Sequence, residues 1–211
     1  MAIELASLEA ALERVLYLTE NSDERVIIGL IGKPGAGKST LSSYLLKHLP
    51  KNTTALVPMD GYHLSNAQLK TLGRSDRKGA PDTFDSDGYV DLLKRIKTNQ
   101  GNEIYFPIFH REIEESIAAE GVVYPHTTLV LTEGNYLLVD SNGWAGVADT
   151  LTESWFIDVD NDKRMGRLVA RHIKYGKSTE AAHAWANGTD QHNAELVETT
   201  RAKADVIIRL D

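Results

Sequence analysis

The sequence contains no cysteine and no long apolar run, and these absences exclude several classes of protein. Without cysteine, the 211-residue chain forms neither disulfides nor thiolate metal sites, which fits a reducing compartment. No apolar run reaches the roughly eighteen residues of a membrane-spanning helix, so no membrane association is expected. Glu4, Glu9 and Glu13 lie where an export signal would be basic, and we therefore expect a cytoplasmic protein.

Positive charge is also scarce, because 23 Lys and Arg residues face 30 Asp and Glu residues and leave a net charge of −7. Binding along a nucleic-acid backbone depends on a basic patch, so no nucleic-acid partner is expected. The length, with 42% hydrophobic and 25% charged residues, fits one α/β domain with an adequate core. We therefore predict a single domain over residues 1–211.

One glycine-rich stretch has the G-x-x-x-x-G-K-[ST] spacing of a phosphate-binding loop. It comprises Gly32, Lys33, Pro34, Gly35, Ala36, Gly37, Lys38, Ser39 and Thr40. A backbone that curls round a polyphosphate with its N–H groups pointing inward needs positions without a Cβ. Lys38 would then reach the β- and γ-phosphates of ATP, and the hydroxyl of Ser39 would bind Mg²⁺.

The segments on either side of this loop support the assignment. Residues 25–31 form a short apolar run suited to a buried strand, and residues 39–49 have the spacing of a helix. The helix N-terminus would add its partial positive charge to the phosphate site. The alternative is a chance match to the motif in a glycine-rich turn. Such a match is expected less often when a predicted strand precedes it and a predicted helix follows it.

Apolar periodicity predicts the other elements of the domain. Residues 3–20 have the spacing of an amphipathic helix that packs on the domain. The predicted strands lie at 25–31, 55–59, 128–133, 154–159 and 204–209.

Two carboxylates follow predicted strands, Asp60 after the second and Glu133 at the end of the third. Because the carboxyl ends of parallel strands line the ligand crevice, both side chains should lie beside the phosphate loop. Glu133 is then a candidate Mg²⁺ ligand. Asp60-Gly61 is also a common turn dipeptide, and the spacing alone favours neither the catalytic role nor the turn role of Asp60.

Two segments, one polar and one that mixes apolar and aromatic residues, are not predicted to be regular elements of the sheet. The stretch from Tyr62 to residue 87 predicts a functional loop or a small helical insertion. Segment 103–111 carries Pro107 inside a strand-like run, which indicates an edge or an irregular loop. His110 and Arg111 are its polar tips, and a lone histidine more often has a surface or structural role than a binding role.

The spacing of residues 162–175 predicts a helix whose cations gather on one side. That side carries Arg164, Arg167, Arg171 and Lys174, and the other carries Met165, Leu168, Val169 and Ile173. Residues 162–178 could act as a lid that brings cations over the transferring phosphate and excludes water. A solvated basic face is the alternative. Residues 185–203 are predicted to form a loop and then a helix, and the sequence indicates no part for them in a mechanism.

The chain resembles the phosphoribulokinase, uridine kinase and bacterial pantothenate kinase superfamily of P-loop kinases, and the resemblance covers nearly the whole chain. Besides the phosphate loop, its blocks are Met59-Asp-Gly-Tyr-His-Leu64, Ala80-Pro-Asp-Thr-Phe-Asp85 and Glu133-Gly-Asn-Tyr-Leu137. The superfamily's P-x-F-D-R segment has its counterpart in residues 107–111, where His110 replaces the aspartate.

The resemblance implies a three-layer α/β P-loop NTPase fold with a five-stranded parallel sheet and a helical lid. It implies transfer of the ATP γ-phosphoryl group, with Mg²⁺, to a hydroxyl of a small metabolite such as a nucleoside, a sugar or a pantothenate-like compound. Asp60 would orient and deprotonate that hydroxyl, and Arg167 and Arg171 would stabilise the transferred group, although Arg164 or Lys174 could do the same. The acceptor would lie within residues 60–87 and 107–111, against Asp60, Tyr62, His63, His110 and Arg111. Homodimers are common in the superfamily.

The alternative is a P-loop nucleotide hydrolase that acts as a switch or chaperone through a protein partner. A GTPase switch needs a guanine-reading N-K-x-D motif, which the sequence lacks, whereas a kinase needs an acceptor carboxylate at the second strand, which it has. A binding module that has lost catalysis is a third interpretation, and the intact Lys38, Ser39, Asp60 and Glu133 argue against it.

Overall fold

A parallel sheet of six strands forms the centre of the structure, a computed structural model that describes residues 2–98 and 101–209. The strands in these residues are β1 (Ile3–Leu5), β2 (Val26–Ile31), β3 (Thr54–Pro58), β4 (Ile104–His110), β5 (Glu115–Val123), β6 (Leu129–Gly134), β7 (Glu153–Asp158) and β8 (Val206–Arg209). The helices are α1 (Leu8–Glu20), α2 (Lys38–His48), α3 (Asn66–Thr71), α4 (Ser86–Thr98), α5 (Asn161–Lys174), α6 (Thr179–Asn187) and α7 (Thr189–Glu198). None of these described helices is long and apolar enough to cross a membrane.

The order of strands in the main sheet is β1-β8-β7-β2-β6-β3, and all neighbours pair in parallel. All five predicted strands are present, and the α/β P-loop fold class is confirmed. The predicted number of strands is wrong, because β1 adds a sixth strand at the edge beside β8. Residues 3–5 therefore belong to a strand, and the predicted N-terminal helix begins only at Leu8, where the side chain of Ser7 caps the backbone N–H of Ala10.

Apolar side chains on both sides of β2 explain why helices cover both faces of the sheet. All six residues of β2 are buried, with Ile27 and Ile31 in one apolar cluster and Ile28 and Leu30 in the other. The first cluster includes the buried apolar residues of α4, and the second includes those of α1 and α2. Helices therefore pack through apolar residues on both faces of the sheet, as in the predicted three-layer architecture.

A separate antiparallel hairpin, β4 and β5, lies against the turn that follows β3. Its register shifts between Phe106 and Ile108, at Pro107, which agrees with the prediction that this segment is not a central strand. A Cβ on Gly61 would lie 2.1 Å from the carbonyl oxygen of Pro107, so only glycine allows this approach. The sequence did not predict β5, and the close contact brings the end of the hairpin beside Asp60.

Candidate active site

The predicted phosphate loop runs from the end of β2 to the start of α2 and forms one wall of a cleft of about 530 Å³. Gly35 and Gly37 have φ angles of 82° and 100°, in the left-handed region that favours glycine. A Cβ on Gly35 would also lie 2.8 Å from the carbonyl oxygen of Arg164. The α2 helix begins at Lys38, so its first N–H groups, which have no partner within the helix, lie at the cleft. The loop therefore fits a bound polyphosphate.

Lys38 lies at the centre of this wall. Its Nζ donates hydrogen bonds to the carbonyl oxygen of Gly32 at 2.8 Å and to Oδ1 of Asn135 at 2.6 Å. Burial lowers the pKa of Lys38 to about 8, against the opposing effect of the carboxylates of Glu133 and Asp60. Asn135 was not predicted as a partner of Lys38, although it lies inside the Glu133-Gly-Asn block.

Glu133 lies at the end of β6, where its carboxylate meets two serine hydroxyls of α2. Ser39 donates to one carboxylate oxygen at 3.1 Å, and Ser42 donates to the other at 2.9 Å. Carboxylate and hydroxyl oxygens suit Mg²⁺, which takes its remaining ligands from water and nucleotide phosphates. Within residues 2–98 and 101–209, no group of three or more His, Asp or Glu residues could hold a metal alone. The pair of Ser39 and Glu133 fits an ion that arrives with the nucleotide.

Asp60 follows β3 in a short helical turn, Met59–Tyr62, and its side chain lines the cleft. Nη2 of Arg111 donates to Oδ2 of Asp60 at 2.6 Å. Burial alone would raise the pKa of Asp60, but His63, Arg111 and Lys38 outweigh it and hold that pKa below its ordinary value. Asp60 is therefore an ionised carboxylate across the cleft from the phosphate loop.

An aromatic wall extends the cleft beyond Asp60. The ring of His63 lies between those of Phe84 and Phe109, with centroid distances of 4.1 and 4.5 Å. Nδ1 of His63 is also 2.7 Å from the carbonyl oxygen of Asp60, and burial lowers the pKa of this histidine. His63 was predicted as a site residue but the two phenylalanines were not, because the sequence of a loop does not distinguish an aromatic residue in the core from one in a pocket.

Several predicted site residues have side chains outside the lining of the cleft. Tyr62 packs edge-on against Tyr89, with 5.4 Å between ring centroids, and burial raises its pKa to about 12. The ring nitrogens of His110 lie 2.9 Å from Glu112 and 2.6 Å from Glu120, so this side chain points away from Asp60. Lys33 forms an ion pair with Glu198 at 2.8 Å. Gly32 and Ala36 also lie outside the lining, and their carbonyl oxygens accept hydrogen bonds from Lys38 and Arg167.

The predicted lid helix, α5, packs directly on the phosphate loop. The predicted sorting of its two sides is wrong for Leu168, which lies beside Gly35 together with Arg164. Arg164 is fully buried and donates to side-chain oxygens of Asn161 and Gln191. Leu168 is buried beside Gly35, so cationic and apolar residues share the side that faces the loop. Neither Arg164 nor Lys174 lines the cleft, whereas Arg167 and Arg171 do.

Arg167 and Arg171 differ in their contacts. Nη1 of Arg167 lies 3.4 Å from the carbonyl oxygen of Ala36 in the loop. The guanidinium of Arg171 makes no hydrogen bond or salt bridge with the part of the chain that the structure describes. Burial lowers the pKa of Arg171, and the positive charge of Arg111 lowers it further. A half-buried guanidinium without an anionic partner in a cleft indicates a place for an anion.

The far end of the cleft comes from α6 and α7. The prediction that residues 185–203 begin as a loop is wrong, because residues 185–187 complete α6. Nε2 of His172 lies 2.6 Å from Oδ2 of Asp190 and joins α5 to α7, and Nζ of Lys177 lies 4.2 Å from the ring centroid of Trp185. All four side chains line the cleft, although no mechanism was predicted for residues 185–203, which include Trp185 and Asp190.

Comparison with known proteins agrees with this geometry. Residues 27–210 match the Phosphoribulokinase / Uridine kinase family. A proposed uridine kinase of Schizosaccharomyces pombe is 28% identical over 99% of this chain and 92% of its own length. Pantothenate kinase of Limosilactobacillus reuteri is 27% identical over 86% of this chain and 67% of its own length.

A solved structure is similar over nearly the whole chain. It is the crystal structure of a proposed fructose transport system kinase from Silicibacter sp. TM1040, with 36% sequence identity and a TM-score of 0.83. The match covers 95% of this chain and 98% of that protein. The phosphate loop, both carboxylates and the helix over the loop all lie within the matched family region.

Proposed function

Because the chain belongs to the phosphoribulokinase / uridine kinase family, we propose that it transfers the γ-phosphoryl group of ATP to a hydroxyl of a small metabolite. The observation that carries the proposal is the position of Asp60, an ionised carboxylate that shares one cleft with Lys38 and the phosphate loop. Enzymes of this chemistry mainly position the reacting groups and neutralise charge. The cleft offers groups for both tasks.

In this proposal, the phosphate loop and Lys38 hold the β- and γ-phosphates of ATP. Ser39 and Glu133 would hold Mg²⁺, which neutralises negative charge on the phosphates when it is bound. Arg167 and Arg171, from α5, stabilise charge on the transferred group, and Asn135 fixes the position of Lys38.

On the acceptor side, Asp60 aims the hydroxyl and accepts its proton. As the bond from the hydroxyl oxygen to the γ-phosphorus forms, the bond from that phosphorus to the leaving oxygen of ADP breaks. His63 and Arg111 are the acceptor-binding residues that line the cleft next to Asp60. The names of similar proteins suggest nucleosides, sugars and pantothenate-like compounds as the first acceptors to test.

A coupled assay of ADP release, run with each acceptor in turn, tests the proposal. The rate should depend on the presence of one acceptor and should vanish in Lys38→Ala. Lys47→Ala, an exposed substitution near the end of the same helix, is the matched control and should leave the rate unchanged. ADP release that no acceptor accelerates would contradict kinase activity.

A further inference from the structure

We propose that the acceptor carries, close to its hydroxyl, a carboxylate or phosphate group that binds the guanidinium of Arg111. The inference rests on the proposed kinase function and names the class of acceptor for the same cleft. Arg111 and Asp60 form one ion pair on the cleft, so a compound that binds both needs its hydroxyl and its anionic group near each other.

Arg111 has open donors that face the cleft. A guanidinium has five N–H donors in a planar fork, which matches the geometry of carboxylates and phosphates. Only Nη2 is used, in the bond to Asp60, whereas Nε and Nη1 make no hydrogen bond with residues 2–98 and 101–209. The side chain is 39% exposed, and its guanidinium lies 5.8 Å from the ring centroid of Phe109. An anion can therefore reach Arg111 while the bond to Asp60 remains.

The other cations of the cleft are engaged or lie elsewhere. Nζ of Lys78 contacts Oδ1 of Asn66 at 2.8 Å, and both the carbonyl oxygen and the carboxylate of Glu114. The ammonium of Lys78 is thus already engaged with Asn66 and Glu114. Arg171 belongs to the helix that packs on the phosphate loop, so we assign it to the transferred phosphoryl group. Arg111 is therefore the cation beside Asp60 whose donors remain open in the described part of the chain.

The pairing of Arg111 with Asp60 gives the anionic group a second effect. Arg111 contributes to the low pKa of Asp60, and a low pKa weakens a general base. An anion on Arg111 offsets that positive field, so the proton affinity of Asp60 rises when a charged acceptor is bound. A neutral acceptor leaves the field in place. The hydroxyl proton then passes to Asp60 as the oxygen bonds to the γ-phosphorus and the bond to ADP breaks.

Acceptors that share a carbon skeleton but differ in charge provide the first test. Glycerol, glycerate and glycerol 3-phosphate form one series, and ribose, ribonate and ribose 5-phosphate form another. Within at least one series, the charged member should have a kcat/KM about 10-fold or more above the neutral member, as expected for charge-assisted hydrogen bonds. The carboxylate and phosphate members identify which anion is used. Equal turnover of neutral and charged members would overturn the inference and still support the kinase function.

Variants of Arg111 provide the second test. Arg111→Ala should lower kcat/KM about 10- to 100-fold for a charged acceptor, since charged hydrogen bonds are lost, and should affect a neutral acceptor far less. Arg111→Lys should recover part of the loss, because a lysine keeps the charge without the fork. Arg95→Ala, an exposed substitution on α4, is the matched control. Equal losses with charged and neutral acceptors would overturn the inference.

A binding measurement does not depend on turnover. With Mg²⁺ and a non-hydrolysable ATP analogue bound, phosphate probes cannot occupy the phosphate loop. Glycerate, ribonate or the corresponding phosphates should then raise the Tm of the wild-type protein more than that of Arg111→Ala. If no charged probe acts as an acceptor or raises the Tm in this way, the inference is wrong. Failure to bind the analogue would count instead against the proposed nucleotide site.

Discussion

Replacement of Asp60 by Asn tests the proposed general base most directly. The substitution keeps the size of the side chain and an oxygen that can accept the hydrogen bond from Arg111, but it removes the base. Loss of a positioned base lowers the rate by roughly 10²- to 10⁴-fold, which corresponds to about 2.7 to 5.4 kcal/mol in activation free energy. We therefore expect kcat of Asp60→Asn to fall within this range.

Stability and nucleotide binding should change little in the same variant. The side chains of Asp60 and Arg111 are 35% and 39% exposed, and such ion pairs contribute only about 0.2 to 1 kcal/mol to stability. The phosphates are held by the loop and Lys38, so the Kd for ATP should stay near the wild-type value. A large drop in kcat with an unchanged Tm and Kd is the expected combination.

Three measurements separate this expectation from the turn interpretation of Asp60-Gly61. Steady-state ADP release with a working acceptor gives kcat, titration of ATP in the absence of acceptor gives Kd, and thermal unfolding gives Tm. Asp76→Asn is the matched control, because the side chain of Asp76 is 80% exposed and lies outside the lining of the cleft. Asn is as suitable as Asp before a glycine in a turn, so near-normal turnover would falsify the catalytic role.

The sheet was largely predictable from the sequence because its central strands, β2, β6 and β7, are buried on both faces. Continuous apolar runs such as residues 26–31 can be recognised without any knowledge of their neighbours. In contrast, β1 has only three residues, and its Leu5 also fits the helical spacing of α1. Only the pairing of β1 with β8 distinguishes the two, and this contact joins opposite ends of the chain.

The site was predictable where topology alone brings residues together. The carboxyl ends of parallel strands share one edge of the sheet, so Asp60 and Glu133 could be placed beside the phosphate loop. The hairpin has no such constraint. Arg111 contacts Asp60 while its neighbour His110 contacts Glu112 and Glu120, and the choice depends on how β4 packs on the turn at Gly61. Because the sequence does not show this contact, it indicates both His110 and Arg111 as candidates and does not show which of them reaches Asp60.

The remaining predictions concern the cations of the nucleotide end. Lys38→Ala should abolish phosphoryl transfer with little change in Tm, because it removes a charge from the phosphate site. A variant that kept most of its turnover would contradict the assignment of the ATP site. Arg171→Ala should lower kcat more than it raises the KM of the acceptor, since its charge acts on the transition state. Unchanged kcat in both Arg167→Ala and Arg171→Ala would show that these two arginines do not act on the transferred group. Finally, ATP affinity should depend on pH through Lys38. Burial lowers its pKa to about 8 in the free protein, and bound phosphates favour the protonated amine, so nucleotide binding takes up a proton once the pH exceeds that value. Affinity should therefore be nearly constant near pH 7 and fall by up to about tenfold per pH unit above pH 8. Titrations between about pH 6.5 and pH 9.5 measure this dependence, which should be absent in Lys38→Ala, and a wild-type profile as flat as that of the variant would show that Lys38 does not control binding through its charge.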